Sequence, residues 1–190
     1  MFVLEARSER IAIFALTVLM AATRIEHFGV GQIAPDASTA VFFLAGLLIG
    51  NPLWQVALLA EALLLDLTAI KVVGVEAVCV TLGYGMMIPA YGSLWLAARW
   101  VRKTNKFDVL SVAKLACACC AGVVGFFLFS NIGYYLGGGF ESSMGLEEYA
   151  RRVARYFPQY LTGTLFYSAA GVAIVVLVAH FAPRSRLASR

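Results

Sequence analysis

Apolar residues in this chain come in long unbroken runs separated by short polar stretches. They show neither the alternation of a strand nor the single stripe of an amphipathic helix. The runs cover residues 11–22, 37–49, 52–65, 72–100, 109–136 and 160–181. A helix that crosses a bilayer needs about 20 apolar residues, with a range of roughly 17–25. The last three runs reach that length and the first three fall short. Gly50-Asn51-Pro52 joins the second and third runs as a tight turn. These two runs therefore read as short buried helices or as a re-entrant hairpin, and either is tolerated where protein surrounds it. The pattern predicts an all-α, polytopic membrane protein: six transmembrane helices in one integral domain spanning residues 1–190.

Composition agrees with that pattern. The 190 residues are 61% hydrophobic and only 14% charged, with mean hydropathy +0.82. A soluble domain of this size cannot hide so much apolar surface. No G-x-x-x-x-G-K-[ST] run exists, which excludes nucleotide binding by a P-loop. The net charge is +4, but the basic residues are scattered between apolar runs, so nucleic-acid binding is a poor reading. They suit loops on an anionic inner leaflet instead. The first apolar run lacks a convincing cleavage site and reads as a retained helix. The four cysteines, Cys79, Cys117, Cys119 and Cys120, all sit in apolar runs, and no disulfide framework is expected.

The distribution of Lys and Arg sets an expected orientation. With the N-terminus inside, the inner segments carry Arg7, Arg10, Arg99, Arg102, Lys103, Lys106, Arg184, Arg186 and Arg190. The outer segments carry Arg24, Lys71, Arg151, Arg152 and Arg155. This bias predicts both termini in the cytoplasm. The third outer segment, 137–158, opens on Gly137-Gly138-Gly139 and continues as a helical stretch over 144–156. Glu147 with Arg151, and Glu148 with Arg152, are i,i+4 pairs with the acid first, the favourable order. Pro158 suits the first turn of the last helix. A glycine hinge before a short charged helix has the makings of a lid.

Candidate chemistry gathers at the outer ends of the runs. Cys79 follows Glu76 and precedes Gly83-Tyr84-Gly85. Two readings of this thiol stand: a packing side chain, or a ligand for a soft metal. His27, Asp66, Tyr84 and Arg152 fall at the same predicted level and are candidates to converge with Cys79 on one outward cavity. Tyr134, Tyr135, Tyr149, Tyr156 and Tyr160 cluster on that side too, as an interfacial belt or as cavity walls. Cys117, Cys119 and Cys120 resemble a metal cluster only at first sight. On a helix just two of them share a face, and their small neighbours point to close packing. Glu61 and Lys114 lie at membrane depth, where charge is costly, and are expected to pair with each other.

These features carry a resemblance. Size, helix count, short second and third helices, and a long outer segment before the last helix resemble the S-components of energy-coupling-factor (ECF) transporters. The cysteine in Val75-Glu76-Ala77-Val78-Cys79, with Asp66 before it and Gly83-Tyr84-Gly85 after it, looks most like the cobalamin-specific BtuM family. The resemblance implies uptake of cobalamin, with Cys79 as thiolate ligand to cobalt and His27, Asp66, Tyr84 and Arg152 touching the corrinoid. It implies a bundle that tilts in the lipid bilayer to carry its ligand across. It also implies an ECF energising module as partner, although the A-x-x-x-A pattern expected on the first helix is missing. Thr17 and Ala21 are the nearest small pair. A thiolate opposite cyanide weakens the cobalt–cyanide bond, so Cys79 is also a candidate catalytic residue for removing cyanide from cyanocobalamin. The alternatives are an S-component for another vitamin and a membrane thiol enzyme with Glu76 or His27 as base.

Overall fold

After Ser38 and Thr39, the helix Ser38–Leu48 is apolar all round, and a helix with no polar face has to be surrounded. In the computed structural model all eleven of its residues are buried. At about 1.5 Å per residue this helix is only about 16 Å long. It is the axis around which the other helices pack. Its neighbours approach closely because small residues face them. A Cβ on Gly46 would overlap the backbone of Trp95, and one on Gly171 would lie 2.6 Å from Leu44 Cδ1.

The structure describes residues 4, 6–24, 35–74, 82–102, 108–138 and 143–181. These residues are helical, with no strand among them. The helices are α1 (Ala6–Thr23), α2 (Ser38–Leu48), α3 (Leu53–Thr68), α4 (Met87–Val101), α5 (Val109–Gly137), α6 (Leu146–Ala154) and α7 (Phe157–Phe181). A π turn, Ala69–Val73, prolongs α3, and a 3₁₀ turn, Leu82–Met86, leads into α4. The most extensive packing is between α4 and α5, followed by α2 with α4. Asp108 starts α5 by accepting a 2.8 Å hydrogen bond from the Ser111 amide. Hydrogen bonding from the Ser111 side chain, and then from its amide, holds the Asp108 carboxyl below its usual range.

Three helical stretches are long and apolar enough to cross a membrane: Leu53–Val72, Val109–Gly137 and Phe157–Phe181. The protein itself covers only 22%, 28% and 22% of their apolar windows, so most of that surface faces outward. Phe14, Leu96 and Trp100 are likewise exposed. These lengths and this apolar exterior suit a membrane protein.

Two lengths differ from those expected. The third apolar run does not stop at Leu65. Asp66, Thr68 and Lys71 are absorbed into a helix that continues through the π turn to Gly74. Gly74 ends it with φ 79°, a left-handed conformation that glycine adopts without a Cβ clash. The run 72–100 is not continuous among the described residues. Gly74 closes the helix in which the run begins, and the 3₁₀ turn Leu82–Met86 leads into α4, which has 15 residues.

The end of the bundle that holds the α2–α3 turn is fastened by charge. Arg99 Nη1 donates to Gly50 O at 3.0 Å and to Ile49 O at 3.2 Å. Arg102 Nη1 donates to Ile49 O at 2.5 Å, and Glu9 accepts from the Gly50 amide. Cations at the last carbonyls of a buried helix satisfy groups that would otherwise lack partners. The expected Glu61–Lys114 pair is not formed. Glu61 lies beside Thr17 of α1, while Lys114 is exposed on α5, a helix that packs on α4, α2 and α7 rather than on α3.

Candidate functional site: a cavity over a buried ion pair

At the opposite end of the bundle, α1 and α3 finish while α4 and α7 begin. Arg24, one residue past α1, is only 2% exposed. A buried guanidinium requires an anion and filled donors. It has both. Nε donates to Asp66 Oδ1 and Nη2 to Asp66 Oδ2, each at 2.7 Å, a bidentate pair with Asp66 also 2% exposed. Nη1 donates to Ser38 Oγ at 2.9 Å and to the Tyr91 hydroxyl at 2.7 Å. Ser38 Oγ in turn donates a hydrogen bond to Asp36 Oδ1 at 2.6 Å. Tyr84 donates to Asp66 Oδ2 at 2.8 Å. Residues from α1, α2, α3, α4 and the 3₁₀ turn are thus tied by one network.

Above this network lies a cavity of about 220 Å³. Arg24, Asp66, Tyr84 and Tyr91 line it on one side. Phe126, Phe127, Ser130, Asn131 and Tyr134 of α5 form another wall, and Tyr160 of α7 a third. Val153 of α6 and Tyr156, between α6 and α7, complete it. The rings pack in sequence: Phe42 stacks on Tyr91 at 4.0 Å, Tyr91 meets Phe126 at 4.9 Å, and Phe126 meets Tyr160 at 5.8 Å. Gly83 also lines the cavity, but its missing side chain serves packing. A Cβ there would overlap the Gly133 carbonyl of α5, whereas nothing lies within 4 Å of a Cβ built on Gly85.

Helix α6 is docked beside the cavity by two phenols. Tyr149 donates to Asn131 O and Tyr135 to Met144 O, both at 3.0 Å, with the two rings 4.8 Å apart. Burial raises the Tyr149 phenol to about 12. The outward face of α6 carries the two expected ion pairs, Glu147–Arg151 at 3.0 Å and Glu148–Arg152 at 2.5 Å.

Of the residues singled out in the sequence, Asp66 and Tyr84 come together at the cavity, along with Tyr134, Tyr156 and Tyr160. Arg152 does not join them. Its guanidinium is 57% exposed and engaged with Glu148. His27, Glu76 and Cys79 lie outside the described residues. Cys119 is buried against α7 while Cys117 is exposed. Among the described residues no group of His, Cys, Asp and Glu is placed to hold a metal ion.

Sequence reading missed Arg24, Tyr91 and Ser38. A signal for the first existed: an arginine closing an apolar run needs a carboxylate at matching depth, and Asp66 closes another run.

The fold and site define an all-helical protein with a membrane-type exterior and an aromatic-walled cavity at one end. Residues 5–185 match a family of unknown function, DUF6580, and the chain belongs to that family. No curated protein matches it.

Proposed function

We propose that the chain is a six-span protein of the bacterial inner membrane, with both termini cytoplasmic, that captures cobalamin on its outer side and carries it inward. The observation that carries this reading is the cavity. It opens at the end of the bundle where the sequence places the outer segments, and its walls are aromatic over a hydrogen-bonded ion pair. Cys79 is four residues from Gly83, a wall of that cavity. Four residues span at most about 14 Å. On this reading the thiolate takes an axial position of cobalt, because a corrin leaves only those positions free and a soft donor suits the metal.

The described walls enclose about 220 Å³, less than the roughly 300–1,000 Å³ usual for ligand pockets. A corrin therefore lies across the mouth with one appendage inside, and α6 moves outward to admit it. The same volume favours a second reading, an S-component for a smaller ring-bearing vitamin. In either case an ECF energising module is the expected partner.

The visible spectrum of the purified protein decides between the two readings. With cobalamin, wild type is expected to show a cobalt–thiolate spectrum that Cys79→Ser and Cys79→Ala lose. Spectra unchanged by both substitutions would remove Cys79 as a ligand. No retained corrinoid at all would leave the smaller vitamin. Substoichiometric protein that releases cyanide from cyanocobalamin under reducing conditions, faster than Cys79→Ser, would establish the side reaction.

A further inference from the structure

The described part of the cavity has its own selectivity, independent of cobalt. Its chemistry rests on the reading of this end as a capture site, though not on which vitamin is captured. Arg24 is the one cation among the described residues that line the cavity, and it is already spent. Asp66 holds it directly through two bonds, and Asp36 lies behind it through Ser38. A carboxylate entering here would lose its water and find no free countercharge. A cation fares no better, because both Asp66 oxygens are engaged, one by Arg24 alone and the other by Arg24 and Tyr84.

What remains on offer is apolar ring surface and, buried beside the ion pair, the hydroxyl proton of Tyr91. Seven of the fourteen lining residues are aromatic, which favours a flat guest that stacks. The Tyr91 hydroxyl accepts from Arg24, but its own proton meets no acceptor among the described residues, and the side chain is only 2% exposed. A buried hydroxyl proton is a costly vacancy that a guest's acceptor atom would fill. We infer that this cavity binds an uncharged planar ring bearing a hydrogen-bond acceptor, and that it discriminates against charged rings of the same size.

Three probes of nearly equal shape test this on the full-length protein in detergent: benzamide, benzoate and the benzamidinium cation. Saturation-transfer NMR with competition gives their dissociation constants at neutral pH. Benzamide is expected to bind at least tenfold more tightly than either charged probe. Ser130→Trp, which fills the cavity from α5 without touching the ion pair, should abolish benzamide binding. Asp66→Asn frees Arg24 and should turn the preference toward benzoate. If that variant does not fold, the wild-type ranking and Ser130→Trp still decide. Benzoate or the cation matching benzamide in wild type would overturn the inference. So would benzamide binding that survives Ser130→Trp, or no benzamide binding. None of the probes carries a metal, so failure here and failure of cobalamin to bind are separate results.

Discussion

Arg24 and Asp66 are 42 residues apart in sequence and meet through two parallel 2.7 Å hydrogen bonds in the interior of the bundle. The pair joins the end of α1 to the last turns of α3. Breaking a buried pair leaves an uncompensated charge, which costs about 3–5 kcal/mol. Asp66→Ala and Arg24→Ala are each expected to destabilise the bundle by about that amount. The double change Arg24→Met with Asp66→Leu should lie much closer to wild type, because it removes both charges and keeps the volume. Denaturant unfolding in detergent for the four proteins measures the coupling. Additive losses would mean that the two residues act independently.

A second close approach holds the 3₁₀ turn against α5. Gly83 and Gly133 pack backbone to backbone, and a Cβ on Gly133 would lie 2.6 Å from both Gly83 O and Met86 Cβ. Backbone cannot swing aside as a flexible side chain can. Gly83→Ala and Gly133→Ala are each expected to cost about 1–3 kcal/mol, the usual range for overpacking. They should also move Tyr84 away from Asp66. Gly85→Ala, with open space at its Cβ, serves as the control and should unfold like wild type. Equal stability of all three variants would show that the turn is not pressed against α5.

The arginines at the far end make a different prediction. Arg99 donates to Ile49 O and Gly50 O, and Arg102 to Ile49 O and Leu48 O, the carbonyls at and just past the end of α2. A charged hydrogen bond of this kind contributes about 1.5–3 kcal/mol. Arg102→Met should lower the melting temperature. Arg102→Lys should restore part of the loss, since an ammonium can reach one carbonyl but not present a planar fork to two. A lysine variant no better than methionine would assign the effect to packing of the stem.

Long local patterns were legible in the sequence. The apolar runs behind α5 and α7 gave helices with nearly the expected ends, and the two Glu–Arg pairs of α6 formed at their expected spacing. Asp66 and Tyr84 were both marked as site residues, and they share a hydrogen bond. What escaped depends on distant partners. Asp66 looked like the end of a helix because a carboxylate lowers local hydropathy. Its charge is neutralised by Arg24, and no window of twenty residues contains both. Glu61 and Lys114 matched in depth, but depth alone does not say which helices are neighbours. The helix end within the run 72–100 hid for the opposite reason, because glycine scores as mildly apolar while permitting the turn at Gly74.

The segment 137–158 was expected to be a lid, and α6 has the anatomy for one. Tyr149 and Tyr135 tie this segment to α5, through hydrogen bonds to Asn131 O and Met144 O. Burial raises the Tyr149 phenol to about 12, above the ordinary value near 10. The folded state therefore binds this proton more tightly than the unfolded state does. The resulting stabilisation is fully present below about pH 10 and is lost as pH rises through about 12. Docking of α6 should weaken over that interval, and Tyr149→Phe should remove this dependence while loosening the helix at neutral pH. Hydrogen exchange of amides in 146–154 reads both effects. Without ligand, Tyr149→Phe is expected to speed exchange there severalfold while α2 is unchanged. With cobalamin bound, wild type should exchange more slowly than without it if α6 closes over the ligand. Equal protection with and without ligand would make α6 a fixed wall of the cavity.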